Sequence, residues 1–259
     1  EKKFSNNRKI KPTKNEINSS IKSLDPKIKN AIDFAYSRIL KFHSLQKTKN
    51  IKYLDKQNNK IEYRYIPIQS VGIYVPANLP STLLMNAIPA KKIAKVKRVV
   101  LANPRLNGKL NPAVMYAAKK CGISEIISAG GSQAIASLAY IQNVNKIVGP
   151  GNNYVARAKQ EVFGDVGIEG MIAGPSEITV VADKNTSLNQ VITSMMSQAE
   201  HDTNSQCILI TNNLNLIKSL KKKLKNEINK IPRKAIAKKS LLKNGLIIRT
   251  YNNKQITDS

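Results

Sequence analysis

Apolar residues recur along this chain at two different spacings. Over residues 21–45 they return every three or four positions, at Ile28, Ile32, Ala35, Ile39 and Phe42, which predicts a helix. Beyond Val71 short apolar runs take over, at 97–102, 125–129, 146–149, 178–183, 207–211 and 246–250. Each is too short for a helix. Amphipathic stretches lie between them, near 82–95, 112–120, 132–141, 152–163, 187–201, 213–229 and 234–243. Short apolar strands alternating with amphipathic helices predict a parallel sheet covered on both faces, hence a doubly wound α/β fold. Ligands of such sheets lie beyond the carboxyl ends of the strands, on strand-to-helix loops. Residues 1–20 are polar and aperiodic, and read as a loose arm.

A length of 259 residues allows one large domain or two smaller ones. No run approaches the roughly 18 apolar residues of a membrane span. The opening residues Glu1 to Arg8 carry no apolar segment of the signal-peptide kind. Cys121, at a helix end, and Cys207, opening a strand, are too few for a disulfide framework. They read as small core residues of a reducing cytoplasm. The net charge of +27 has two readings. One is the footprint of a nucleic-acid binder. The other is a lysine-rich solvated surface. The charge is mostly Lys, spread from end to end, with 5% aromatics and no Trp to build a stacking platform, which favours the second. Lys218 to Lys225, with Ile217, Leu220 and Leu224 at helical spacing, reads as the wet face of an amphipathic helix.

Candidate chemistry is concentrated in a few loops. Ser197 to Gln206 contains His201, one of two histidines in the chain. Gln198 and His201 are three apart and share a face if helical. An amide oxygen and an imidazole are half of a metal site, since zinc takes three or four protein ligands. His43 has no second ligand type near it and reads as a surface or capping histidine. Two strand-to-helix loops are glycine-rich, Ala129-Gly130-Gly131-Ser132-Gln133 and Gly149-Pro150-Gly151-Asn152. A tight turn alone explains either. Two in one sheet suggest a phosphate-bearing ligand such as NAD, lying at helix N-termini. A third turn, Gly174-Pro175-Ser176-Glu177, presents a hydroxyl and a carboxylate.

The segments VGIYVPANLPSTLLMNAIPAKK (71–92), GGSQAIASLAY (130–140), KIVGPGNNYVARAKQEVFG (146–164), GPSEITVVAD (174–183) and SQAEHDTNSQCILIT (197–211) together resemble histidinol dehydrogenase. The resemblance implies a cytoplasmic, zinc-containing homodimer that oxidises L-histidinol to L-histidine through histidinal with two NAD. It implies two Rossmann-like domains, one inserted into the other: 21–71 with 176–259, and an NAD-binding insert at 72–175. By the same resemblance Tyr74, Gln133 and Asn152 contact NAD, and Ser176 contacts substrate. Gln198 and His201 are two zinc ligands that also hold substrate.

The resemblance also marks departures. No histidine follows His201, so the acid–base Glu-His pair and two further zinc ligands of the family are expected beyond Ser259. The 259 residues alone are then expected to be inactive. The turn Ala77-Asn78-Leu79-Pro80 lacks the usual glycines, the stretch after Tyr140 is shortened, and Gly170 is inserted. Two other readings stay open: a decayed relative keeping only a dinucleotide-binding fold, and a basic nucleic-acid-binding protein.

Overall fold

The structure, a computed structural model, describes residues 9–76, 78–169 and 176–257. The chain falls into two units, Glu1–Ile172 and Ala173–Ser259. The first opens with α1 (Lys14–Lys22), α2 (Pro26–Ser44) and an antiparallel hairpin of β1 (Ile51–Leu54) and β2 (Lys60–Tyr63). Next come β3 (Ser70–Tyr74), α3 (Pro80–Ala87), β4 (Arg98–Ala102), α4 (Pro112–Cys121) and β5 (Glu125–Ile127). The unit continues with α5 (Gly131–Ala136), β6 (Lys146–Val148), α6 (Asn153–Glu161) and β7 (Gly167–Ile168). Short π-helical segments, Ile88–Ile93 and Ser137–Ile141, prolong α3 and α5.

Strands β3 to β7 form one parallel sheet in the order β5-β4-β3-β6-β7. Side chains alternate between its faces. Val71, Ile73, Val75, Val99 and Leu101 join Leu83, Val114 and Met115 of α3 and α4 in one core. Tyr74, Val100 and Ala102 join Ile135 and Val155 of α5 and α6 in the other. The doubly wound sheet predicted from periodicity is what forms here.

Two features of the amino-terminal region differ from the sequence reading. Residues 14–22 are helical, not a loose arm. Thr13 and Glu16 close a capping box, with Thr13 N–H donating to Glu16 at 2.8 Å and Glu16 N–H to Thr13 Oγ1 at 3.2 Å. The helices of the 21–71 segment group with the first unit, because their apolar faces are buried there. Ile32 is part of the core that holds Val71 and Met115, and Ile21 and Ile39 pack against it. Asp33 braces α2 to α4. Its carboxylate accepts from Lys120 at 2.5 Å, from Tyr116 Oη at 2.7 Å and from Lys29 at 3.1 Å. Lys120 above all, then Tyr116, hold that carboxyl far below the usual 3.8.

The second unit contains β8 (Glu177–Ala182), α7 (Leu188–Ala199), β9 (Gln206–Thr211), α8 (Leu214–Ile228), α9 (Lys234–Asn244), β10 (Gly245–Arg249) and α10 (Asn253–Thr257). Its parallel sheet runs β10-β9-β8. Val191 and Met195 of α7, Leu220 of α8 and Ala237 of α9 share a core with Cys207 and Leu209. The alternate positions face the other way, and Val181 and Leu246 there are 55% and 46% exposed. The helices α7, α8 and α9 all pack on the first of these faces. Among the described residues no helix is long and apolar enough to cross a membrane.

The direction of strand order in the first sheet reverses between β3 and β6. The backbone is tightest there. Gly149, just past β6, has φ +113°, and a Cβ on it would stand 2.0 Å from the Tyr74 carbonyl oxygen. Gly149→Ala is accordingly expected to lower unfolding free energy by at least about 2 kcal/mol in urea titrations. Wild-type stability would contradict this packing. Asp33→Asn is expected to cost about 1 kcal/mol at neutral pH, allowing for partial exposure. A depressed carboxyl value in the folded state stabilises above the unfolded value and loses that contribution on acidification. The gap between wild type and Asp33→Asn should therefore narrow below about pH 4; a constant gap down to about pH 2 would contradict the brace.

Candidate functional site

Tyr74, Gln133 and Asn152 lie at the carboxyl edge of the first sheet, on the loops that leave β3, β5 and β6. Tyr74 ends β3 with its ring buried. Its hydroxyl accepts a hydrogen bond from the N–H of Gly131, the first residue of α5, at 3.3 Å. Its carbonyl is the group against which Gly149 packs. Both glycine loops therefore converge on this one tyrosine, one at its ring and one at its backbone. Gln133 stands exposed in the first turn of α5. Asn152 is the N-cap of α6, and its Oδ1 accepts from Val155 N–H at 3.1 Å. The Nδ2 is the donor end of the same side chain. Gly151 is needed by its neighbours, since a Cβ there would come within 2.2 Å of the Val155 side chain.

The crevice between β3 and β6 is the switch point at which open parallel sheets bind ligands. It holds an exposed amide, an N-capping amide and two helix N-termini, a donor-rich lining that suits an anion.

Ser176, Gln198 and His201 belong to the second unit, at the amino edge of its sheet. Sequence reasoning had looked to carboxyl edges. Ser176 precedes β8, and its carbonyl accepts from Gln206 N–H at 3.1 Å, where β9 begins. Gln198 lies in the last turn of α7 and its Nε2 reaches Ser205 Oγ at 3.5 Å. Ser205 and Gln206 thus tie Ser176 to Gln198. His201 lies beyond the helix end, not on a continuous helical face with Gln198. Glu200 is the C-cap, and His201 N–H bonds back to the Gln198 carbonyl at 3.1 Å. Its imidazole is exposed.

Sequence reasoning missed the part played by α9. Arg233, just before it, donates to the His201 carbonyl at 3.1 Å. The buried Ser240 hydroxyl donates to the Ser205 carbonyl at 2.8 Å. The Asn244 amide reaches the Thr203 and Ser205 carbonyls, each at 3.3 Å. The signal available was polar residues at Ser240 and Asn244, four apart on one face of a helix.

Among the described residues no group of three or more His, Cys, Asp or Glu could hold a metal ion. Gln198 and His201 supply two donors, fewer than zinc requires. His43 sits near the end of α2 with its Nδ1 2.6 Å from Gln46 Oε1, a helix-end role. Cys121 and Cys207 are free and buried. Burial pushes the Cys121 thiol up to about 11 and raises that of Cys207 as well. Gly174 and Pro175 of the third loop lie outside the described residues, as do Gly170 and Ala77.

The histidinol dehydrogenase family model matches residues 1–259, the whole chain. Histidinol dehydrogenase of Pelagibacter ubique is 54% identical over 266 aligned residues, covering 100% of this chain and 62% of that protein. The enzyme of Bradyrhizobium diazoefficiens is 43% identical, over 92% of this chain and 56% of its own length. A crystal structure of histidinol dehydrogenase from Elizabethkingia anophelis superposes with a TM-score of 0.92 at 34% identity, covering 99% of this chain and 61% of that one. An aldehyde dehydrogenase from Anabaena variabilis shares the fold alone, with a TM-score of 0.55 at 14% identity, over 94% of this chain and 53% of that one. The chain spans about three fifths of the Pelagibacter relative's length. With the family model matched from end to end, this chain belongs to the histidinol dehydrogenase family.

Proposed function

We propose that the chain is the NAD-binding and part of the substrate-binding portion of a cytoplasmic, homodimeric enzyme. That enzyme oxidises L-histidinol to L-histidine through histidinal. The observation that carries the reading is the convergence of both glycine loops on Tyr74 at the β3/β6 switch point, in a chain of this family. The residues present fit NAD. Bound there, the cofactor supplies the hydride acceptor. Tyr74 fixes the N-terminus of α5 and so the position of Gln133. Asn152 holds the start of α6 with its oxygen and offers its Nδ2 to the ligand. Ser176, Gln198 and His201 are the residues proposed to hold the substrate, and Gln198 and His201 are two of the proposed zinc ligands. As a complete zinc shell the described residues do not fit, and no step is derived through the metal. The lysine-rich surface is taken as solvated rather than as a nucleic-acid site.

Titration calorimetry with NAD tests the cofactor half. Asn152→Ser keeps a capping oxygen and loses the amide nitrogen. It should unfold within about 0.5 kcal/mol of wild type while binding NAD several-fold more weakly. Equal NAD affinity would remove Asn152 from the site. The substrate half is tested in a protein extended to its relatives' length. There His201→Ala should lose bound zinc and at least about 100-fold of histidinol-dependent NADH formation. Full zinc content in that variant would contradict the ligand role.

A further inference from the structure

The Gly149 peptide units are held by side chains from two directions. The Gly149 N–H donates to the carboxylate of Glu169, which follows β7. The Gly149 carbonyl accepts from Lys159 Nζ at 2.5 Å. Lys159 and Glu169 are themselves 3.7 Å apart. Helical side chains lean toward the helix N-terminus, so the Lys159 stem runs back along α6 to reach the loop that starts it. The Lys159 side chain is 15% exposed, and burial lowers its pKa. A mostly buried ammonium needs its partners, and here they are a loop carbonyl and a carboxylate.

What this arrangement controls is the geometry of the switch point. Gly149 rests directly on the Tyr74 carbonyl, and Asn152 begins α6 three residues later. Fixing both hydrogen-bonding groups of Gly149 fixes how far Asn152 stands from Tyr74. We propose that Lys159 and Glu169 are positioning residues that hold the Gly149–Asn152 loop in the form that receives the dinucleotide. The proposal rests on NAD occupying the β3/β6 crevice. Neither residue touches the ligand, and both act through Gly149. A purely structural ion pair would hold the fold together equally well, so stability alone does not separate the two roles.

The separating experiment is titration of the 259-residue chain with NAD by calorimetry, alongside thermal unfolding. Wild type, Lys159→Met, Glu169→Met and the double variant are compared. Each single variant is expected to bind NAD about tenfold more weakly, at a temperature where it is folded. The double variant is expected to be no weaker than the weaker single one, because both side chains act on one loop. A folded single variant with wild-type NAD affinity and a lowered melting temperature would overturn the proposal and leave the pair structural. Glu169→Met removes the acceptor for the Gly149 N–H at a side chain that is 40% exposed, so it decides the matter if Lys159→Met does not fold. A wild-type chain that binds no NAD would take away the cofactor reading itself, and the positioning role with it.

Discussion

The contact of the Gly149 backbone with the Tyr74 carbonyl sets the geometry of the first unit's binding edge. Only a residue without a Cβ tolerates that approach, and its φ of +113° is costly for any other. The contact occurs where strand order reverses and β6 comes to lie beside β3. Loops leaving such neighbours diverge to opposite faces of a sheet and open a crevice. Here Gly149 packs on the Tyr74 carbonyl, and the Gly131 N–H donates to the Tyr74 hydroxyl. Tyr74 therefore links both loops, although 6% of its surface meets solvent. Burial gives this residue its leverage.

The second unit relies on side chains where the first relies on backbone. The segment from Glu200 to Ser205 carries His201 and has no regular structure of its own. Arg233, Ser240 and Asn244 satisfy its carbonyls from the α9 side. The Ser205 carbonyl among them is buried and would cost about 1–3 kcal/mol if left unpaired, so these bonds restrict the conformations open to the loop. A histidine outside a helix can then have a defined place without sharing the helix's geometry.

Most of the fold was legible because its signals are local. Apolar runs at 97–102, 146–149 and 207–211 mark strands within one residue of β4, β6 and β9. Amphipathic spacing likewise locates α4, α7 and α8. Tyr74, Gln133 and Asn152 could be named from motif resemblance, but their convergence depends on the order of strands in the sheet, which no local pattern encodes. The β1–β2 hairpin was missed although Ile51 and Tyr53 alternate with Lys52. Its turn uses Asp55 and Asn58, the latter at φ +64°, in place of glycine. Helix α1 was missed although Thr13 and Glu16 have the spacing of a capping box. The face shared by Gln198 and His201 was over-read, because helical periodicity was carried past a helix that ends at Ala199. Lys159 and Glu169 left no local trace, since their meeting point is created by tertiary contact.

The central claim is that the β3/β6 crevice of the first unit takes NAD. Hydrogen–deuterium exchange of the 259-residue chain, with and without saturating NAD, tests it most directly. The account predicts slower exchange at residues 74–75, at the end of β3, and in segments 131–136 and 151–156, at the starts of α5 and α6, with β8 to β10 unchanged. Protection confined to the second unit, or none at all, would contradict it.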